Sequence, residues 1–141
     1  MVQFFVMLEL FSAAMAKQTI LPKASGIDPK NVVEYMDRWS SQARKGTLEL
    51  LLLLFIQKKE YYGYELIEDM KTILVADVSE GTLYPLLNRM QKDELISSEW
   101  REMGSGVPRK YYTLTLFGKQ ILEAMKQEWL SISFAIQKLS M

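Results

Sequence analysis

The segment Ser79–Ile96, SEGTLYPLLNRMQKDELI, carries side chains suited to specific polar recognition. Its apolar residues are spaced i, i+3, i+4, i+7, which predicts an amphipathic helix. The opposite face would present Thr82, Tyr84, Asn88, Arg89 and Lys92. Arg and Asn can hydrogen-bond guanine and adenine edges bidentately, while Thr and Tyr suit phosphates and methyl groups. The set therefore indicates nucleic-acid contact, although each residue alone is equally typical of a solvated helix face.

The front of this helix contains Gly81 and Pro85, both poor helix residues. Near a duplex, the amide-rich helix start would meet phosphate, and Gly81 would permit close approach. Ser79 is the expected N-cap. Whether the regular helix begins at Ser79 or nearer Leu83 stays open at this point.

The composition excludes several classes of site. The chain of 141 residues has no cysteine and no histidine. Disulfides, thiolate nucleophiles, Cys/His zinc sites and Ser-His-Asp triads are therefore impossible, and we expect neither an enzyme nor a cofactor. Seventeen basic residues balance seventeen acidic ones, so a surface that binds nucleic acid must be a local arrangement of charge.

No membrane role is expected, and the sequence favours a cytoplasmic location. The longest apolar run, Leu50–Ile56, is too short to span a bilayer. The apolar start of the chain has no positive charge before Lys17, whereas a signal peptide carries that charge in front.

The remaining elements surround the polar helix in a simple order. A leucine-rich helix with Thr47 as its expected N-cap comes first, and a second helix follows Gly63. After the third helix, Ile96–Glu102 and Arg109–Thr115 are rich in strand formers. A long last helix, capped by Thr115, ends the order. We predict a mostly α, α+β winged helix-turn-helix, with the third helix in the major groove and the hairpin on the backbone.

The hairpin loop GSGVPRK places Arg109 and Lys110 beside a pliable tip. Basic residues on a loop are usually ordinary surface. Beside a recognition helix they would contact phosphates, and each would steepen the salt dependence of binding by roughly one unit.

The last helix has a seam with steps of 3, 4, 3, 4 and 3 residues. The seam consists of Leu122, Met125, Trp129, Ile132, Ile136 and Leu139. Such an a/d pattern predicts a homodimer interface, although packing on its own domain is the alternative. The indole of Trp129 either lines a gap between protomers that suits a flat aromatic ligand or fills the interface core.

Three stretches together resemble the PadR family of transcriptional regulators. They are GTLELLLLLFIQKKEYYGYELIEDM, GTLYPLLNRMQKDELI, and the wing GSGVPRKYYTLT with FG opening the final helix. The likeness runs from about Arg38 to the C-terminus. It implies a dimeric repressor that binds an inverted-repeat operator in double-stranded DNA and releases it for an inducer.

The resemblance also assigns residues. The groove helix is similar at Ser79, Thr82, Tyr84, Pro85, Asn88 and Arg89, and the wing at Gly106, Pro108, Arg109 and Lys110. The short single C-terminal helix is similar to the compact branch, whose members can hold planar aromatic compounds between subunits. Trp129 falls where that branch carries its ligand-stacking tryptophan.

The resemblance divides the chain into residues 1–35 as an extension of unknown role, 36–114 as the winged-helix domain and 115–141 as the dimerisation helix. Two departures from the family stand out. Glu94 replaces the usual glycine before the first wing strand, and residues 1–35 have no counterpart. Met36 is therefore either the true initiator or preceded by a real extension.

Two other functions fit the residues less well. A winged helix that binds protein rather than DNA would agree with the zero net charge. A protein that binds an aromatic small molecule without DNA would depend on Trp129 alone.

Overall fold

The computed structural model describes residues 28–74, 78–102, 104 and 106–141. Its elements are, in chain order, α1 (Pro29–Lys58), β1 (Tyr61–Tyr62), α2 (Gly63–Leu74), α3 (Glu80–Lys92), β2 (Ile96–Arg101), β3 (Arg109–Leu114) and α4 (Leu116–Leu139). The predicted winged-helix order is confirmed, and each wing strand ends within one residue of its predicted bounds. The two-residue strand β1 was missed because so short a strand has no alternation to detect. None of the helices within these ranges is long and apolar enough to cross a membrane.

The three strands form one antiparallel sheet in the order β1–β3–β2. β3 is central, with Tyr112 opposite Tyr61 on one side and opposite Ser98 on the other. Tyr61 and Tyr112 are both buried, so this sheet face packs on the helices. β1 thus connects the hairpin to α2, because it pairs with β3 and directly precedes the helix.

α1 begins far upstream of the predicted cap at Thr47, so that prediction is wrong. Asp28 caps the helix by accepting a hydrogen bond from the Lys30 amide, and Pro29 occupies the first helical turn. This is a stronger start signal than Thr47, because proline is pre-organised for that position. The Thr47 hydroxyl instead donates to the Ala43 carbonyl inside the helix.

The upstream start of α1 concerns the predicted division of the chain between residues 35 and 36. The helix runs through residues 35 and 36 without a break, so this division does not coincide with a helix end. Of the predicted extension, residues 1–27 lie outside the described ranges, and the part from Pro29 onward is helical. The division into extension, winged helix and dimerisation helix stays a prediction.

A single cluster of buried side chains joins the four helices to the sheet. Its fully buried members are Leu52, Leu53, Leu66, Met70, Leu83, Leu87, Met90 and Leu122. The predicted apolar face of α3 is confirmed, since Leu83, Leu87 and Met90 are buried and Leu86 packs against the cluster. Burial of each such side chain stabilises the fold by about 1.5–3 kcal/mol, and it fixes which face of α3 remains outside.

The start of α4 is held against the turn that follows α3. Thr115 caps α4 by accepting from the Gly118 amide at 2.8 Å, and its own amide donates to the Leu95 carbonyl at 3.1 Å. Gly118 is buried, and a Cβ atom there would lie 1.9 Å from the Leu95 carbonyl oxygen. Only glycine therefore allows α4 to begin at this distance from the α3 turn.

Gly118→Ala and Gly46→Ala form a matched pair. Gly46 lies inside α1 with open space where a Cβ would point. We expect Gly46→Ala to raise the free energy of unfolding by about 0.5–1 kcal/mol through helix propensity. Gly118→Ala should lower it by about 3 kcal/mol, the upper range for overpacking, because backbone must move. Urea denaturation followed by circular dichroism measures both, and equal stability of the two variants would contradict the contact.

Candidate nucleic-acid interface

α3 has one buried and one exposed face. Thr82, Asn88 and Arg89 are exposed, opposite the buried Leu83, Leu87 and Met90. Ser79, Gly81, Pro85 and Lys92 are exposed as well. The structure thus brings the residues predicted for the groove helix to one surface.

The first turn of α3 is less tightly capped than a regular helix start. Ser79 is the N-cap residue, but its side chain makes no capping hydrogen bond; its hydroxyl lies 3.1 Å from that of Thr82. Pro85 lies inside the helix and cannot donate to the Gly81 carbonyl. The helix nevertheless begins at Glu80, which settles the start that the sequence left open.

Tyr84 packs across the start of α2. A Cβ atom on Gly63 would lie 2.7 Å from Cε1 of the Tyr84 ring, so the ring covers this glycine while 38% of the residue stays exposed. Burial raises the pKa of Tyr112, and Tyr84 raises it further. Tyr84 therefore has a structural contact in addition to any contact with nucleic acid.

Arg89 is paired with a carboxylate from another helix. Its Nη2 lies 2.5 Å from Oε2 of Glu49 on α1, while 60% of the Arg89 side chain remains exposed. A planar guanidinium held on one edge still offers donors on the others. The pair fixes the direction of Arg89 and links α1 to α3. No sequence pattern predicted this pair, because Glu49 lies forty residues before Arg89 in the chain.

The end of α3 explains how the chain manages without the family's glycine. Glu94 has a φ of +58°, the left-handed conformation that glycine prefers. The Leu95 amide donates to the Met90 carbonyl and the Glu94 amide to the Gln91 carbonyl, the pair of bonds that defines a Schellman motif. The turn keeps its geometry at a cost of about 1–2 kcal/mol for a side chain in this region.

The predicted wing residues fall into two environments. Gly106 and Pro108 are exposed between the strands. Arg109 is exposed at the start of β3, with its guanidinium 4.4 Å from the centre of the Tyr62 ring, and within the described ranges it has no carboxylate partner. Lys110 is half-buried, and its Nζ donates to Oε1 of Gln91 on α3 at 2.9 Å. The base of the wing therefore lies directly beside α3.

Arg101 connects several side chains on the outer face of the sheet. It contacts Glu60 and Glu99 and lies 5.1 Å from the centre of the Tyr111 ring. The hydrogen bond from Arg101 is the main reason that the pKa of Glu60 is lowered. These contacts occupy Arg101, so Arg109 is the more available cation of this face.

Trp100, near the end of β2, is an exposed aromatic residue. It is 67% exposed and lies opposite Lys110 in the strand register. Alternation along a strand assigns Trp100 to one face but does not show whether that face is covered.

The predicted dimer seam on α4 divides into two halves. Leu122 is fully buried in the core of its own chain, and Met125 and Trp129 pack against that core. Leu122 therefore has no surface left for a partner, which corrects its assignment to the interface. Ile132, Ile136 and Leu139 are exposed, because α4 extends beyond the body of the domain.

Comparisons with known proteins agree with this geometry. The model of the Transcriptional regulator PadR-like family matches residues 51–124. The chain belongs to the PadR-like family. It is 42% identical to a PadR-like transcriptional regulator from Bacillus cereus whose crystal structure superposes with a TM-score of 0.64, covering 70% of this chain and 95% of the other. A PadR family transcriptional regulator from Eggerthella lenta is 34% identical, with a TM-score of 0.66 and coverage of 76% and 96%.

A curated relative adds no further function. An uncharacterized protein of Lysinibacillus sphaericus is 32% identical over 90 residues, 62% of this chain and 83% of the relative. Family membership makes this PadR-family chain a DNA-binding transcriptional regulator and not an enzyme. The winged-helix resemblance found in the sequence is confirmed.

Proposed function

We propose that this chain is a homodimeric, cytoplasmic repressor that binds an inverted-repeat operator and releases it for a planar aromatic inducer. The observation that carries the DNA-binding part is the contact between Lys110 and Gln91 at 2.9 Å. In this contact the base of the wing lies beside the last turn of α3, which supports engagement of the same stretch of duplex by helix and wing.

The two kinds of cation have different roles in this proposal. Arg89, directed by Glu49, is placed to read base edges from α3 together with Asn88. Arg109, stacked on Tyr62, is placed to contact a phosphate from the wing. Thr82, Ser79 and Tyr84 supply hydroxyls at the start of α3. The zero net charge is no obstacle, because binding depends on the local arrangement of cations and not on the charge of the whole chain.

The dimer is supported by apolar surface on two helices. The outer half of α4 exposes Ile136 at 61% and Leu139 at 88%, and α1 exposes Tyr35 and Trp39. A single soluble chain rarely leaves such surface uncovered. A two-fold pair would place two α3 helices on half-sites about ten base pairs apart. Repression is the simplest outcome, since a dimer on its operator covers the promoter DNA beneath it.

Alanine variants test DNA binding on duplexes that the protein selects from a random library. Arg89→Ala should weaken binding about 5- to 100-fold and relax the choice of one base pair, because it removes a base-edge contact. Arg109→Ala should weaken binding to all sequences and lower the salt slope by about one. Fluorescence anisotropy at several salt concentrations measures both. Lys126→Ala on α4, where Lys126 pairs with Glu123, is the control and should leave affinity unchanged.

These variants also separate the alternatives. If the selected duplexes bind with affinity that does not change with salt, or if Arg109→Ala keeps the full salt slope, the phosphate contact of the wing is wrong. A protein-binding module would show no selected DNA at all.

Ile136→Asp tests the dimer. Because Ile136 is mostly exposed in the single chain, the change should leave the fold intact while charging the interface. We expect the wild type to be dimeric at micromolar concentration and Ile136→Asp to be monomeric in sedimentation equilibrium. Gln137→Asp adds the same charge one position along the helix, off the seam, and should stay dimeric. A monomeric wild type would remove the proposal.

Trp129→Phe tests the inducer. Trp129 keeps part of its surface outside the core against which it packs, so a flat ligand can stack on it. We expect planar cationic dyes to quench the tryptophan fluorescence of the wild type and of Trp100→Phe, which alters an exposed indole on β2. Quenching should be lost in Trp129→Phe. Equal quenching in all three proteins would place the ligand elsewhere.

A further inference from the structure

Lys110 reaches away from the wing tip and towards the recognition helix. Its ammonium donates to the side-chain amide oxygen Oε1 of Gln91 at 2.9 Å and lies 5.5 Å from the centre of the Tyr112 ring. Both Lys110 and Gln91 are only partly exposed. The contact joins the last turn of α3 to the central strand of the sheet.

The direction of the Gln91 amide is fixed by a second hydrogen bond. Its Nε2 donates to the Ser98 hydroxyl on β2 at 2.6 Å. An ammonium can only donate, so the amide oxygen must face Lys110, while the serine hydroxyl can accept from the nitrogen. The chain Ser98–Gln91–Lys110 thus uses each end of the amide in the only arrangement that satisfies both partners.

We propose that Gln91 is a positioning residue for DNA binding, which holds the Lys110 ammonium beside α3 for a phosphate that flanks the groove. This inference rests on the proposed function of α3 and the wing. Gln91 occupies one of three N–H donors of the ammonium, and two stay available for phosphate oxygens. The flanking residues Asn88, Arg89 and Lys92 are all exposed, so a duplex that contacts them passes close to Lys110.

We expect Gln91 to raise the affinity for DNA because it orders the Lys110 side chain before DNA binds. A free lysine side chain loses rotamer freedom when it contacts a phosphate, whereas a lysine already held by Gln91 loses less. The loss of one such ordered side chain corresponds to roughly a two- to ten-fold change in affinity. The charge of Lys110 is the same in both cases, so the salt slope should not depend on this ordering.

Three variants test the role of Gln91, again by anisotropy on selected duplexes across salt concentrations. Gln91→Met keeps the shape of the side chain and removes both hydrogen bonds. It should weaken binding roughly two- to ten-fold with an unchanged salt slope. Gln91→Glu should pair with Lys110, withdraw its charge from phosphate and lower the salt slope by about one. Gln91→Met in a Lys110→Ala background should cost nothing further.

The outcomes are distinct from those of the proposed function. If Gln91→Met weakens binding equally with and without Lys110, Gln91 merely supports the fold and the inference is overturned. An unchanged salt slope in Gln91→Glu overturns it as well. Both results would leave DNA binding by Arg89 and Arg109 intact. Absence of salt-dependent binding in the wild type would instead overturn the proposed function, and this inference with it. Ser98→Ala, which frees the amide but keeps the Lys110 contact, should show a smaller loss than Gln91→Met.

Discussion

The close approach of Gly118 to the Leu95 carbonyl is the contact on which the arrangement of the molecule depends. At this point the end of α3, the start of β2 and the start of α4 meet within one set of backbone hydrogen bonds. Thr115 adds side-chain bonds to them, because its hydroxyl donates to the Glu94 carbonyl at 2.6 Å and accepts from the Gly118 amide. Any shift here would move α3, the β2–β3 hairpin and α4 together.

Glu94 shows how strongly this junction is determined. A glutamate in the left-handed region is strained, and the usual glycine would avoid that cost. The strained conformation persists because hydrogen bonds fix the turn. They are the Schellman bonds to the Met90 and Gln91 carbonyls and the bond from the Thr115 hydroxyl to the Glu94 carbonyl. Backbone strain of this kind persists where the surrounding structure leaves no other conformation. The Glu94 turn therefore adopts the left-handed conformation that glycine prefers, although its residue is not glycine.

Local patterns were enough to predict the features that depend on a few neighbouring residues. The apolar spacing of α3, the two wing strands and the Thr115 cap all follow from periodicity or capping, and all are found. The start of α1 was misplaced because Thr47 looks like a cap only until the stronger signal at Asp28 and Pro29 is considered.

Features that depend on distant partners could not be predicted in this way. The Glu49–Arg89 pair joins residues forty positions apart, and the Lys110–Gln91 contact joins nineteen, so no sequence window contains both members. Leu122 fits a heptad seam equally well whether its partner is another chain or its own core. Only the packing of α4 on its own domain distinguishes these two possibilities. Periodicity shows that a helix face is buried but does not show what covers it.

The two halves of α4 connect recognition to assembly. Its inner half is locked into the core at Leu122 and against the α3 turn at Gly118, while its outer half carries the exposed residues of the proposed dimer. A packed interior transmits displacement instead of absorbing it. In the proposed dimer, a change in the pairing of the two α4 helices would therefore also change the separation of the two α3 helices. The proposed dimer contact on α4 and the exposed face of α3 thus belong to one mechanical unit, and the predicted boundary at residues 114 and 115 falls within it.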